Sequence, residues 1–188
     1  MRRVFQIRGV TGAGKTTAMR NLLRSLGTPR TFRAATAHGP EAYTTSGKLV
    51  AVGDYNATAK CVGCDRLKGR RQIFDAVDAA IDRGHELIGL ESMIFSTTFK
   101  MSSDLSRHLE ARGYDFLLVF LDCDFATALE RVHARNGGKP ISLVGLEHRV
   151  SAYETSMGKC IEAGMSNVRI DATKGEKYVL ERLRAAVL

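Results

Sequence analysis

Tryptophan is missing from this 188-residue sequence, proline occurs only three times, and the first forty residues contain no aspartate or glutamate. Long apolar runs are missing as well. The strongest, Phe116 to Leu121, falls far short of the ~20 residues a membrane-spanning helix needs, so no membrane partner is expected. Arg2 and Arg3 stand at the amino terminus without an apolar h-region, and no secretory signal is expected. The four cysteines, Cys61, Cys64, Cys123 and Cys160, are too few and too scattered for a disulfide framework. Cys61-Val62-Gly63-Cys64 has no second pair to complete a four-ligand zinc site, and the five histidines form no triad pattern. With Pro29, Pro40 and Pro140 all in expected loops and no repeat or linker, residues 1–188 read as one domain.

What is present begins at Gly9. Gly9-Val10-Thr11-Gly12-Ala13-Gly14-Lys15-Thr16 is a complete G-x-x-x-x-G-K-[ST] phosphate-binding loop. Arg3 to Arg8 before it reads as a strand. Thr17 to Leu26 after it reads as a helix with Leu22, Leu23 and Leu26 on one side. In that setting the amides of Thr11, Gly12, Ala13, Gly14, Lys15, Thr16 and Thr17 are expected to line a bound polyphosphate, at the positive end of the helix dipole. Lys15 is expected to reach the β- and γ-phosphates of ATP, and the Thr16 hydroxyl to ligate Mg²⁺. With an ATP-type loop and so few cysteines, a reducing cytoplasm is the expected location.

Strand and helix patterns alternate along the rest of the chain. Arg30 to Gly53 is β-rich, with turn signals at His38-Gly39-Pro40 and Ser46-Gly47, and its best strand is Lys48 to Val52. Gly53 to Gly69 reads as an irregular loop and Arg71 to Arg83 as an amphipathic helix. Glu86 to Leu90 is a strand, Phe99 to Arg112 a helix, and Phe116 to Leu121 a strand buried on both faces. Helices over about 125–135 and 143–162, a strand at Asn167 to Asp171 and a helix at Glu176 to Val187 complete the pattern. Such alternation predicts an α/β three-layer sandwich around a mostly parallel sheet of about five strands, with ligands beyond the carboxyl ends of the strands.

Strand ends therefore supply the candidate chemistry. Glu91 ends a hydrophobic strand, the Walker B pattern, and is expected to hold the metal together with Thr16. A second carboxylate should accept the proton of an attacking hydroxyl. Asp54 and Asp65 both follow the second strand, and spacing does not choose between them. Arg131 and Arg135 lie one turn apart ahead of Asn136-Gly137-Gly138-Lys139-Pro140, an arrangement expected of a lid over about 125–142 that closes on the γ-phosphate. Asp171-Ala172-Thr173-Lys174 falls where the adenine would lie.

The formal net charge of +8 comes entirely from the first forty residues, which hold eight Lys/Arg; the remainder balances at 20 basic and 20 acidic. Only Lys15 is explained by the phosphate loop. Arg20, Arg24, Arg30 and Arg33, with the cluster Arg66-Leu67-Lys68-Gly69-Arg70-Arg71, suit attraction of a polyanion.

With these residues in place, the chain resembles the small P-loop kinases of the nucleoside, gluconate and polynucleotide kinase group. A narrower resemblance rests on Gly53-Asp54-Tyr55 followed by Gly63-Cys64-Asp65, a pairing similar to the phage-encoded 5-hydroxymethyluracil DNA kinases. That resemblance implies phosphorylation of a hydroxymethyl on a modified pyrimidine in DNA and, for a phage-encoded enzyme, the host cytoplasm. It also implies that Asp65 takes precedence over Asp54 as base, and that Tyr55 contacts the target base. Ser92-Met93-Ile94-Phe95 after Glu91 is apolar, unlike the acceptor-phosphate pocket of a nucleoside monophosphate kinase, and Tyr55 or Phe95 is expected to stack on a flipped base. The residues alone leave two rivals open: a small-molecule kinase and an ATP-dependent switch.

Overall fold

The computed structural model describes residues 2–57, 62–67, 69–137, 139 and 142–188. Its elements run β1 (Arg3–Arg8), α1 (Lys15–Ser25), β2 (Arg30–Thr36), β3 (Gly39–Ser46), β4 (Leu49–Val52), a 3-10 turn (Cys64–Arg66), α2 (Arg70–Asp82), β5 (Leu87–Glu91), α3 (Met93–Thr97), α4 (Phe99–Ala111), β6 (Asp115–Asp122), α5 (Phe125–Arg135), α6 (Leu143–Glu162), β7 (Asn167–Asp171), a second 3-10 turn (Ala172–Lys174) and α7 (Glu176–Val187).

One sheet of seven strands runs in the order β2-β3-β4-β5-β1-β6-β7. The five strands from β4 to β7 in that order pair in parallel, which is the expected core of the sheet. The expected count of about five is corrected by two more strands. β2 and β3 form an antiparallel hairpin, and β3 pairs antiparallel with β4. Short turns make this possible: Ser46 faces Leu49 across a two-residue loop that Gly47 opens at φ 55°, and Gly39 at φ 110° receives the chain after Ala37 and His38.

Burial follows the pattern. Phe116 to Leu121 of β6 and all of β5 are buried, as a strand covered on both faces requires. α1 and α7 pack together on one face, with Met19 of α1 pressed on Gly89 of β5. The α3, α4 and α6 helices cover the other face, and α2 joins them through Asp78, which meets His108 of α4 and Arg112 just after it. No helix among the described residues is long and apolar enough to cross a membrane.

Candidate active site

β1 and β5 lie side by side, Ile7 opposite Glu91, so the phosphate loop and the Glu91 carboxylate leave the sheet together. The loop's fold depends on close backbone approach. A Cβ on Gly12, at φ 93°, would lie 2.3 Å from the Ala128 carbonyl oxygen of α5, and Gly14 opens α1 at φ 88°. No side chain caps α1 and no acid stands in its first turn, which leaves its leading amides for an anion. Lys15 is buried, its ammonium donating to the Gly9 and Val10 carbonyls at 2.9 and 3.0 Å.

Two carboxylates converge on that lysine. Glu91 is 4% exposed and accepts hydrogen bonds from the Thr16 and Tyr55 hydroxyls, the latter at 3.3 Å. Burial pushes its pKa up, against the opposing pull of Lys15, and the Asp65 charge adds to the rise. Burial likewise drives Lys15 down, with Glu91 and Asp65 resisting and Arg135 adding to the fall. Asp65 stands at the entry to α3. Its Oδ1 accepts from the Ser92 hydroxyl at 2.8 Å and the Met93 amide at 2.7 Å. Among the described residues both of its hydrogen bonds fall on Oδ1, which leaves Oδ2 for an incoming group.

The paired G-x-Y and G-C-D segments form a clasp around Glu91. A Cβ on Gly53 would meet the Val62 carbonyl oxygen at 2.0 Å, and the Asp54 amide donates to that same oxygen at 3.0 Å. A Cβ on Gly63 would sit 2.6 Å from both the Glu91 carbonyl and Oε2, and 2.8 Å from the Tyr55 hydroxyl. Any larger residue there displaces the carboxylate. The Cys64 thiol is buried beneath, and burial holds it protonated well above its usual range.

Several expectations change at this point. Tyr55 is 3% exposed and Phe95 fully buried, so neither is open to stack on a base; Tyr55 instead holds Glu91. Asp54 turns its carboxylate to the Thr31 hydroxyl at 2.9 Å and to the Asn56 and Ala57 amides at 3.2 Å, an Asx turn that ties the loop to β2. Arg131 donates to the Ala172 carbonyl at 3.0 Å and faces Cys123, which sets it beside the 172–174 turn. Arg135 is exposed and near enough to depress Lys15. Because Gly12 packs on Ala128 and Arg131 is tied to Ala172, the first two turns of α5 are fastened to the site. Thr11 donates weakly to the Met93 sulfur at 3.9 Å, Ala13 is buried, and Thr17 is exposed in the first turn of α1. Cys61 of the Cys-x-x-Cys pair, Lys68 of the basic cluster, and Gly138 and Pro140 of the expected lid lie outside the described residues.

A 5-hmdU DNA kinase family model matches residues 2–146. The 5-hmdU DNA kinase of Pseudomonas phage M6 is 31% identical over 156 residues, which cover 79% of this chain and 81% of that protein. The chain belongs to the 5-hmdU DNA kinase family. It is thus a phosphotransferase, a DNA kinase by family. Among solved structures, the YorR protein of Bacillus subtilis in complex with phosphorylated GDP matches with a TM-score of 0.60 over 97% of this chain and 94% of that one, at 12% identity. Deoxyadenosine kinase from M. mycoides with bound dCTP matches at 0.51 over 97% of both chains, at 16% identity. These likenesses concern the fold, and they agree with the α/β P-loop kinase architecture.

Two further residues of this 5-hmdU DNA kinase family member matter at the site beyond those its motifs single out. Ser92 caps α3 through the Ile94 and Phe95 amides while donating to Asp65, and so fixes Asp65 against Glu91's strand. Arg8, fully buried before the phosphate loop, donates to the Ser102 and Ser156 hydroxyls at 2.6 and 2.7 Å, to the Ser96 carbonyl at 2.8 Å and to the Cys160 sulfur at 3.3 Å. Its guanidinium also stands 5.5 Å from the Phe120 ring centre. Burial pushes its pKa down; its two Nη atoms meet only neutral acceptors among the described residues, and its buried Nε has no hydrogen-bond partner there. Arg8 thereby ties β1 to α3, α4 and α6, and the Ser96 hydroxyl in turn receives the Gly9 amide. A charged residue inside a hydrophobic strand was the available clue.

A surface cleft of about 250 Å³ lined by Arg2, Glu86, Arg112 and Tyr114 opens at the opposite, amino-terminal edge of the sheet, away from these groups.

Proposed function

We propose that this chain transfers the γ-phosphoryl of ATP to the 5-hydroxymethyl group of 5-hydroxymethyluracil in DNA, with Mg²⁺. The observation that carries the reading is the convergence of Tyr55, Gly63 and Asp65, from the G-x-Y and G-C-D segments that resemble this family, on the buried Glu91 beside Lys15.

The phosphate-loop amides and Lys15 bind the β- and γ-phosphates, Lys15 exchanging the Gly9 and Val10 carbonyls for phosphate oxygens. Thr16 and Glu91 offer adjacent hard oxygens, a donor set that fits Mg²⁺, which takes few protein ligands and completes its shell with phosphates and water. When bound, Mg²⁺ supplies charge neutralisation at the transferring phosphoryl. Asp65 Oδ2 accepts the proton as the hydroxymethyl oxygen bonds to the γ-phosphorus and ADP leaves. Arg135, in the last turn of α5, reaches toward the phosphates from the side of Lys15. Arg131, held at Ala172, serves the nucleobase end.

Glu91 acts ionised, so activity holds above its raised pKa and is lost as pH falls through it. The Tyr55 hydroxyl stabilises the ionised form. Tyr55→Phe is therefore expected to move the acid limb of kcat/KM to higher pH while the plateau changes only severalfold. An unmoved limb in paired pH profiles would remove Tyr55 from this role.

Incubation with γ-labelled ATP and DNAs carrying thymine, 5-hydroxymethyluracil or 5-hydroxymethylcytosine tests the function. Label confined to the 5-hydroxymethyluracil DNA is expected. Label only on the free nucleoside, at DNA 5′ ends, or nowhere despite ATP hydrolysis would overturn it in favour of a nucleoside kinase, an end kinase or a switch.

A further inference from the structure

The expected basic surface divides in the folded chain. Of the cations in the first forty residues, Arg8 and Lys15 are buried, Arg20 is spent on the Tyr55 and Ala57 carbonyls, and Arg2 pairs with Glu86. A different set gathers beside the carboxylate site. Arg70 at 2.6 Å, Lys100 at 3.5 Å and Arg107 at 2.5 Å all converge on Asp104 of α4. The Asp104 side chain is 6% exposed, whereas the three cations are 48%, 76% and 72% exposed. One recessed carboxylate thus aligns three outward-facing charges and neutralises only one of them. Arg66 and Arg71 are exposed on the adjoining segment. The arrangement is braced, because Arg70 also stands 5.1 Å over the Phe74 ring, which stacks on His108.

Both strips of this patch start at the site. Arg70 follows Asp65 by five positions, a span of at most about 18 Å. Lys100 opens α4 directly after α3, whose first amide binds Asp65. Phosphates of one strand advance about 3.4 Å per nucleotide along a duplex, so the patch falls within roughly five phosphates of the reacting base.

We propose that Arg70, Lys100 and Arg107, set by Asp104 and flanked by Arg66 and Arg71, grip the phosphate backbone of substrate DNA next to the target base. This rests on DNA being the acceptor. Backbone contacts of this kind position the strand and carry no sequence information, which leaves base choice to the groups around Asp65.

The test is the double variant Lys100→Ala/Arg107→Ala, which keeps the Arg70–Asp104 pair. Surface ion pairs of this type contribute little to folding, so the melting temperature should hold. Binding of a fluorescent single-stranded oligonucleotide containing 5-hydroxymethyluracil is followed by anisotropy across a salt series. Affinity at low salt should fall about tenfold, and the slope of log K against log salt should shrink by about 1.4, near 0.7 for each lost phosphate contact. KM for ATP should stay unchanged. Arg24→Ala/Arg33→Ala, which removes exposed cations elsewhere, should leave affinity and slope near wild type. An unchanged slope in the first variant, or an equal loss in the second, overturns the patch. Because binding is read without turnover, the two readings separate. Wild type that binds but labels no DNA sinks the phosphorylation reading alone, and a variant that keeps its affinity while wild type labels DNA sinks the patch alone.

Discussion

Lys15→Ala is expected to lower kcat by at least about 100- to 1,000-fold, the range seen when one preorganised charge is removed from a developing anion. The structure argues for the upper end. The ammonium is buried against the loop carbonyls, and it is the cation that restrains the upward drift of the Glu91 pKa. Its removal deletes the contact to the transferring phosphoryl and also pushes Glu91 toward its protonated form, which cannot hold a metal. The fold should survive, because protonation lets Glu91 remain buried without its partner. Steady-state kinetics with 5-hydroxymethyluracil DNA, alongside a thermal melt, gives the answer. A folded Lys15→Ala protein with near wild-type turnover would end the site assignment.

Asp65→Asn should cost about 100- to 10,000-fold in kcat, the usual worth of a positioned base, with KM for both substrates little altered. The substitution is well matched to the question. An asparagine oxygen can still accept from the Ser92 hydroxyl and the Met93 amide, so the start of α3 stays in place while proton acceptance is lost. Asp54→Asn is the control, since that carboxylate is occupied by Thr31 and the amides of its own turn. Its kcat should remain within a few-fold of wild type. Equal losses in the two variants, or a larger loss at Asp54, would move the base away from Asp65.

The pair shows what could be read from sequence. Asp54 and Asp65 are both loop aspartates after the same strand, and spacing left them equivalent. They were separated by Ser92 and Met93, 27 and 28 positions beyond Asp65, whose groups turn one carboxylate toward Glu91. Tyr55 differs from its sequence reading for a related reason. An aromatic in a loop near a substrate motif reads as a binding residue, yet its hydroxyl lies against an acid 36 positions away and its ring is packed in the core. The β2–β3 hairpin differs again: its turn signals are legible in the sequence, but the pattern of residues 30–53 marks one strand clearly, and the other two take their place only by pairing at the edge of the sheet.

The phosphate loop, its flanking strand and helix, and the parallel α/β plan were set by the chain alone, because each depends on contiguous residues: glycines for turn geometry, a lysine and threonine at fixed offsets, and hydrophobic periods of two and 3.6. The tertiary structure decided which carboxylate lies nearest the phosphate loop, why Gly63 must be glycine, which neutral groups meet the Arg8 Nη atoms, and where the exposed cations collect. Those outcomes come from the approach of segments far apart in the chain, where a contact of 2.6 Å or a shared carboxylate depends on how the layers close and leaves no periodic trace in either segment.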